Sequence, residues 1–482
     1  MAKEHRWIGT SVPPKGRYDD IFFIDENMGW VVGGGIGEVL RTEDGGRTWS
    51  EPTFLDRRYP RAIGMLDKDV GWIGCINGSP PLLKTTDGWR TFKTVHLPSE
   101  HKGRLSADGP TAVCGLQVFD DSHIFAAGTN FPLQPARFLK SLDGGDSWIV
   151  RDMEDHATIL VDVWFTSPTV GWLVGARVTR PHSLRDDVIP VVLKTIDGGN
   201  SWEDRLQFSP EMNPPLGEWG WKIQFVDDEF IVVACENFRA GAILISQDAG
   251  EHWVRCEIRN SEGAMINENL EGIGFLNRKV GWVGGWGDQA VSSGRTSATT
   301  DGGKTWTDLT KTWAKPTAFL TGTPVCSSDV DKGQYINRFR FINGFGYAAG
   351  NSVYKYTDEP ESDFSPVTQT HEQLVSRDGA LRFGETATIP VEIPPGIATL
   401  QIDIFDRFGA KVRSLATEKD PAAGPRLFEW DVRDDNGRAL PLTQFQLRVT
   451  LDDKTDSRLI FHERTPVSSE KRDYTPYMLL EE

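Results

Sequence analysis

"TEDGGRTW" occupies residues 42–49. Alone, an aspartate followed by two glycines and closed by a tryptophan fits a catalytic loop, a phosphate cradle or a turn. Its recurrence decides among them. It returns as "TTDGWRTF" (85–92), "SLDGGDSW" (141–148), "TIDGGNSW" (195–202), "SQDAGEHW" (246–253) and "TTDGGKTW" (299–306). The aspartates are Asp44, Asp87, Asp143, Asp197, Asp248 and Asp301, at intervals of 43, 56, 54, 51 and 53 residues. A catalytic site is not normally built six times, whereas a structural turn repeats with its fold.

A second phrase precedes most of these turns: "MGWVVGG" (28–34), "VGWIGC" (70–75), "VGWLVG" (170–175) and "VGWVGG" (280–285), with weaker copies at 124–128, 230–235 and 345–350. A short apolar strand comes before it, such as "DIFFID" (20–25), and another follows, such as "EVLRT" (38–42). Each unit therefore reads strand, strand, strand, Asp-Gly turn, strand, which is the pattern of a β-propeller blade. The aspartate carboxylate accepts backbone N–H groups and holds the turn. Glycine admits the positive φ needed there. The closing tryptophan starts the outer strand and wedges against a neighbouring blade, which gives the 17 tryptophans a structural purpose.

Six Asp phrases give six blades. A seventh is visible in "INRFRFI" (336–342), "GYAAG" (346–350) and "VYKYT" (353–357), but it stops after three strands. "RWIGTSV" (6–12) is the expected fourth, closing the ring and removing its open edges. These repeats resemble the Asp-box, or bacterial neuraminidase repeat, propellers, and within them the photosystem II stability/assembly-factor type. The resemblance covers about three quarters of the chain and implies a fold more than a function, because such propellers include sialidases, xyloglucanases, sorting receptors and assembly factors.

Beyond residue 358 the character changes. Residues 359–378 read as an acidic, Pro-containing linker. Residues 379–455 show alternating strands, with Leu400, Ile402 and Ile404 on one face, Phe428 and Trp430 repeating the period, and "DDNG" (434–437) as a hairpin turn. This region resembles the immunoglobulin-like domain of flagellar hook-capping proteins; Gln444-Phe445-Gln446 departs from that pattern before the last strand. The fold class is all-β: a seven-bladed β-propeller over residues 1–358, then an Ig-like or fibronectin-like β-sandwich, then a tail over 456–482.

A net charge of -17 argues against sequence-independent nucleic-acid binding, which needs a basic footprint. The five cysteines lack CxxC spacing, so neither a disulfide framework nor a zinc site is expected, and no metal or cofactor is assigned. No run approaches a membrane span. "MAKEHRWIGTSVPPKG" (1–16) has no apolar h-region, so the chain as written is expected to be cytoplasmic.

The usual catalytic phrases, G-x-S-x-G, H-E-x-x-H and the P-loop, are missing. "GGGIG" (33–37) joins two strands and opens no helix, so it reads as a hairpin and not a phosphate site. Propeller ligands commonly sit at the channel mouth, opposite the Asp turns. The inner strands bring charges there: Asp20, Arg61, Asp162, Lys222, Glu271, Arg338 and Arg340, beside Trp219 and Trp221. Long loops at 98–112, 177–191, 209–220, 286–297 and 310–335 crowd the same face, one of them carrying His182, Arg185, Asp186 and Asp187.

The competing reading of those charges is a wet channel whose groups neutralise one another. Against a sialidase, Arg61, Arg338, Tyr335, Asp162 and Glu271 fill some roles, but one arginine of the required three has no candidate. Asp162 and Glu271 are the catalytic pair if the chain is a glycoside hydrolase. The expectation is a non-enzymatic binding or assembly scaffold with a protein partner. A glycan-acting or glycan-binding propeller, or a structural subunit of a secretion-type machine, are the alternatives.

Overall fold

A computed structural model describes the chain except for residues 1–4, 13–16, 34–36, 57, 77–79, 99–111, 130–134, 180–186, 209–213, 238–240, 268–269, 286–295, 310–335, 343–344, 351, 365–380, 384–386, 407–410, 441–443, 453 and 463–482. Most of the long loops, most of the "GGGIG" hairpin, His182, Tyr335, much of the linker and residues 463–482 lie outside the described residues, whereas residues 456–462, expected in the tail, belong to the strand Lys454–His462, which pairs with Gln444–Leu451.

Seven four-stranded antiparallel sheets follow one another. Blade 1 is typical: Tyr18–Phe23, Gly29–Gly33, Glu38–Thr42 and the two-residue edge Thr53–Phe54. Blades 2 to 6 begin at Pro60, Gly115, Ile159, Trp219 and Leu270. Blade 7 takes Ile336–Ile342, Phe345–Gly350 and Val353–Thr357 from one part of the chain and Arg6–Gly9 from the other. Arg6 pairs with Thr357 and Gly9 with Tyr354, so the two distant segments share one sheet. The innermost strands neighbour each other in order, and Tyr18–Phe23 meets Ile336–Ile342 to close the ring. Outer edges are short, which limits strand addition by other chains.

Strand alternation sends one set of side chains of each blade to the blade before and the other to the blade after. Val31 and Leu40 of blade 1 pack with Tyr347 and Val353 of blade 7; Trp30, Val32 and Val39 pack with Ile63, Ile73 and Leu83 of blade 2. The four Gly-Trp tryptophans face forward: Trp72 meets blade 3, Trp172 blade 5 and Trp282 blade 7. The tryptophans closing the Asp turns face backward. Trp49 packs on blade 7, Trp148 on blade 2, Trp253 on blade 4 and Trp306 on blade 5.

The Asp turn is built the same way six times. In blade 1 the Thr42 hydroxyl donates to Asp44 Oδ1 (2.9 Å) and accepts the Gly46 N–H (2.9 Å). Asp44 then accepts the N–H and the hydroxyl of Thr48, at 2.8 and 2.6 Å. Ser147, Ser201 and Thr305 repeat the hydroxyl contact at 2.6 Å, and in blade 5 His252 Nδ1 takes its place at 2.7 Å. The Ser147 side chain and N–H, helped by Ser141, hold the Asp143 carboxyl down at about 2. Two turns break the glycine rule: Trp89 and Ala249 adopt φ of 69° and 59°.

The C-terminal region forms a five-stranded sheet and a two-stranded sheet, Ala387–Ile393 with Gly424–Trp430. Both contribute to one core: Ile389 and Val391, Leu400, Ile402 and Ile404, Trp430, and Leu447 and Val449. Two sheets over a shared core make a β-sandwich. At 434–437, Asp434 Oδ1 accepts the N–H groups of Asn436 and Arg438, each at 2.8 Å, as a turn requires.

Glycine is needed at Gly145 for two reasons. Its φ is 80°, and a Cβ there would come within 2.7 Å of the Trp72 ring of the preceding blade. Gly263 has φ of 81° but nothing within 4 Å of a Cβ. Gly263→Ala should therefore cost only the left-handed backbone penalty, about 1–2 kcal/mol. Gly145→Ala should cost about 1–3 kcal/mol more, from overpacking. Denaturant unfolding of the two variants checks the difference; equal losses would remove the interblade contact as a cause. Deleting residues 1–12 should lower the melting temperature, since Trp7 packs edge-on to Trp282 at 5.5 Å and Ile8 is fully buried. An unchanged melting curve would mean that the ring does not depend on this strand.

Candidate functional site

The antiparallel order of each blade puts the turns between strands 1–2 and 3–4 at one end. The N–H of Gly45 donates to Asn27 O (2.8 Å), and Gly198 to Thr169 O (2.8 Å), tying each Asp turn to the first hairpin of its own blade. The opposite end of the ring therefore holds the strand 2–3 loops and the loops entering each blade. The innermost strands start at that end.

Six of the seven innermost strands carry a register shift near their start. The skipped residues are Asp19, Arg61, Val161, Trp221, Glu271 and Asn337. A bulge re-aims the side chain of the extra residue, and here it gathers charges from several blades. Arg17 Nε meets Asp19 Oδ1 at 2.6 Å, and its Nη2 reaches Glu271 Oε2 of blade 6 at 2.5 Å. Arg61 Nη1 of blade 2 meets the same Asp19 oxygen at 2.5 Å, and its guanidinium lies 4.9 Å from the Trp221 ring of blade 5. Blades 1, 2, 5 and 6 are thereby joined across the mouth.

One residue deeper lies a second layer. Arg338 of blade 7 spans Asp20 Oδ1 (3.2 Å) and Asp162 Oδ2 (2.9 Å), which belong to blades 1 and 4. Lys222 Nζ is 3.9 Å from Asp162 Oδ1, and Arg340 Nη2 is 3.1 Å from Asp20 Oδ2. The two carboxylates also accept backbone N–H groups of the next blade, Ile63 on Asp20 (3.0 Å) and Ile223 on Asp162 (3.2 Å). Gln117 and Gln224 make the equivalent reach with amide groups, to Phe165 and Phe275.

Burial penalises every charge here. It would raise the Asp20 carboxyl, but Arg340, Arg338 and Lys222 outweigh it and hold the pKa below the ordinary value. Burial lowers the Lys222 ammonium, against the pull of Asp162. It lowers Arg340 too, reinforced by Arg338 beside it. Two buried acceptors in the upper layer, Asp19 Oδ2 and Asn337 Oδ1, have no hydrogen-bond partner among the described residues.

The structure thus brings together Asp20, Asp162, Lys222, Arg338 and Arg340 in one layer, and Arg61 and Glu271 in the layer above. Trp219 and Trp221 are 1% and 3% exposed and pack in an apolar cluster with Cys114, Val161 and Val188. Neither offers an exposed ring; Trp221 supports the Arg61 guanidinium from within. Arg17 and Asp19 were missed by sequence reasoning. Asp19 precedes Asp20 in a strand, and only the bulge turns it into the channel. Among the described residues, no group of three or more His, Cys, Asp or Glu is placed to hold a metal ion.

Chemically, the cluster is a rigid polar plug. Asp162 and Glu271, the candidate hydrolytic carboxylates, are both engaged by cations. Arg338→Ala would leave Asp20 and Asp162 short of a partner and should destabilise the ring by about 3–5 kcal/mol. Arg338→Met with Asp20→Asn should lose clearly less, because charge is removed from both sides. Urea unfolding of the two variants checks this; equal losses would show that packing, not charge pairing, sets the cost.

The family model described as "Photosynthesis system II assembly factor YCF48" matches residues 1–107. A Synechococcus protein named "Photosystem II assembly lipoprotein Ycf48" is 28% identical over 160 residues, which is 33% of this chain and 39% of that protein. The chain thus spans about two fifths of the curated relative it matches. The resemblance read from the repeats holds for the propeller. A solved structure described as "YCF48 bound to D1 peptide" has a TM-score of 0.47 at 18% identity, covering 73% of this chain and 94% of that one. A xyloglucanase of family GH74 from Xanthomonas campestris has a TM-score of 0.51 at 12% identity, covering 94% and 75% respectively. The last likeness concerns the fold alone. One expectation is overturned: the Synechococcus relative is named a lipoprotein, so the cytoplasmic placement read from residues 1–16 is withdrawn.

Proposed function

We propose that this chain is a non-enzymatic binding or assembly scaffold that presents the loop face of its propeller to a protein partner. The observation that carries this reading is the state of the channel carboxylates. Asp20, Asp162 and Glu271 are each held by a guanidinium, and each is at most 2% exposed. Carboxylates held by guanidinium groups and shut off from solvent leave no open face for a substrate or an attacking water. Such a network is instead well suited to holding a surface rigid. The match of residues 1–107 to an assembly-factor family supports the same reading.

In this proposal residues 1–358 are the platform, 359–378 a linker and 379–455 an accessory Ig-like interaction module. Asp20, Lys222, Arg338 and Arg340 brace the channel wall. Arg61, only 7% exposed, paired with Asp19 and laid on Trp221, holds the shape of the mouth that the partner meets. Trp219 backs Trp221 at 5.3 Å between ring centres.

The test is a native pull-down with quantitative mass spectrometry, comparing the full chain with Arg61→Ala and Arg61→Lys. A specific protein recovered with the native chain should fall at least about tenfold with Arg61→Ala, which corresponds to about 1.4 kcal/mol. Melting temperatures are measured alongside, so that loss of partner is separated from loss of fold. Full recovery on a folded Arg61→Ala protein would exclude the mouth as the contact.

A further inference from the structure

The chain does not leave the ring where the last propeller strand ends. Val353–Thr357 completes blade 7, and the residues after it fold back, closing with the short 3-10 turn Glu361–Phe364. This turn packs against the N-terminal strand Arg6–Gly9. Phe364 is fully buried. Its ring lies 5.3 Å from the guanidinium of Arg47, on the blade 1 Asp turn, and 5.4 Å from Lys355 Nζ of blade 7. Glu359 joins the same two cations: its Oε1 accepts from Lys355 Nζ at 2.8 Å and its Oε2 from Arg47 Nη2. Burial would raise the Glu359 carboxyl, but Lys355 and Arg47 outweigh it and hold the pKa below the ordinary value.

Other joints of the ring show what Glu359 replaces. Lys84, Lys140 and Lys194 hold the place of Lys355 in blades 2, 3 and 4. Each reaches the residue after the second glycine position of the next Asp turn. Lys84 is 3.8 Å from Asp146, Lys140 3.3 Å from Asn200 and Lys194 2.8 Å from Glu251. Between blades 7 and 1 that residue is Arg47, a second cation. Lys355 is buried, and a buried ammonium facing a like charge is costly without an acceptor. Glu359 supplies the acceptor from outside the blades. The N-terminal segment enters at the same joint. Thr10 N–H donates to Val353 O (2.9 Å), and the Ser11 N–H and hydroxyl donate to Gly46 O (3.2 Å) and Arg47 O (2.6 Å).

We propose that residues 359–364 are a strap that locks the ring at the joint of blades 7 and 1 and controls the release of the N-terminal strand. Phe364 fills the space beside that strand, and Glu359 neutralises the two cations that would otherwise push the joint apart. While both are seated, residues 6–12 stay in blade 7. When they leave, that segment opens ahead of the rest of the ring, as a local unfolding event. The first six residues of the segment between propeller and sandwich thus serve the ring. Arg47 lies on the Asp-turn end, so the strap does not depend on the contact proposed at the channel mouth.

The test is native-state hydrogen exchange of the full chain, read by mass spectrometry. Peptides covering residues 6–12 report the joint, and the blade 4 strands Ile159–Phe165 and Gly171–Val178 serve as the internal reference. Phe364→Ala should speed exchange of 6–12 at least about tenfold and leave the blade 4 peptides unchanged. Glu359→Gln should speed it about threefold. R47E/E359Q gives the joint the acid that blade 5 carries at the same place, Glu251, so Lys355 gains a direct partner and native protection should return. Unchanged exchange of 6–12 in Phe364→Ala, an equal rise in blade 4, or no recovery in R47E/E359Q would each overturn the proposal.

Discussion

The contact on which this molecule depends is the one between a tryptophan of one blade and the Asp turn of the next. Trp30 donates its indole N–H to Gly88 O at 3.3 Å, and Trp72 fills the space a side chain on Gly145 would need. Lysines run alongside: Lys84 lies 5.0 Å from the Trp72 ring and donates to Gly144 O at 3.1 Å, and Lys194 lies 5.4 Å from the Trp172 ring. One blade is a small sheet with too little apolar face to stand by itself. Each blade becomes stable only between two others. The turn is at once a local structure, held by its aspartate, and a socket for the preceding blade.

The fold was legible because those requirements repeat. Asp44, Gly45, Gly46 and Trp49 recur with their spacing, and a single sequence then carries its own alignment. The outer strand of blade 7 was also readable, since three strands at 336–357 left a place for residues near the start. The channel was legible only in part. Asp20, Asp162, Lys222 and Arg338 follow from strand alternation, which fixes which side faces inward. Arg61 and Glu271 were read as mouth charges too, but their place in an upper layer, and the presence of Asp19 there at all, depend on an extra residue in each strand, and nothing in the residue types announces a bulge. Arg17 lies outside any strand and enters the site only through its reach. For the same reason Trp219 and Trp221, neighbours in "GEWGWK", looked like surface aromatics but pack as core.

The two layers of the channel differ in what they ask of a neighbour. In the lower layer Arg338 satisfies carboxylates from two blades, and the cost of burying these groups is offset only because they are buried together. In the upper layer Asp19 and Asn337 keep acceptors unmet, and Arg17 and Arg61 share one carboxylate oxygen. Rigidity thus sits below the surface, and unsatisfied polarity sits at the mouth. This arrangement gives the channel mouth a braced base.

The shared sheet of blade 7 also sets a clock. Arg6 pairs with Thr357, so the first strand waits for the last blade to be made. At ribosomal rates of about 5–20 residues per second, some 350 residues take roughly 20–70 seconds. Throughout that interval blade 1 has no neighbour on one side, and the Trp7 strand has no sheet to join. The nascent chain therefore carries an unpaired strand and an open blade face longer than a protein of local contacts would. A factor that shields residues 6–12 during synthesis would act on yield without touching the stability of the finished ring.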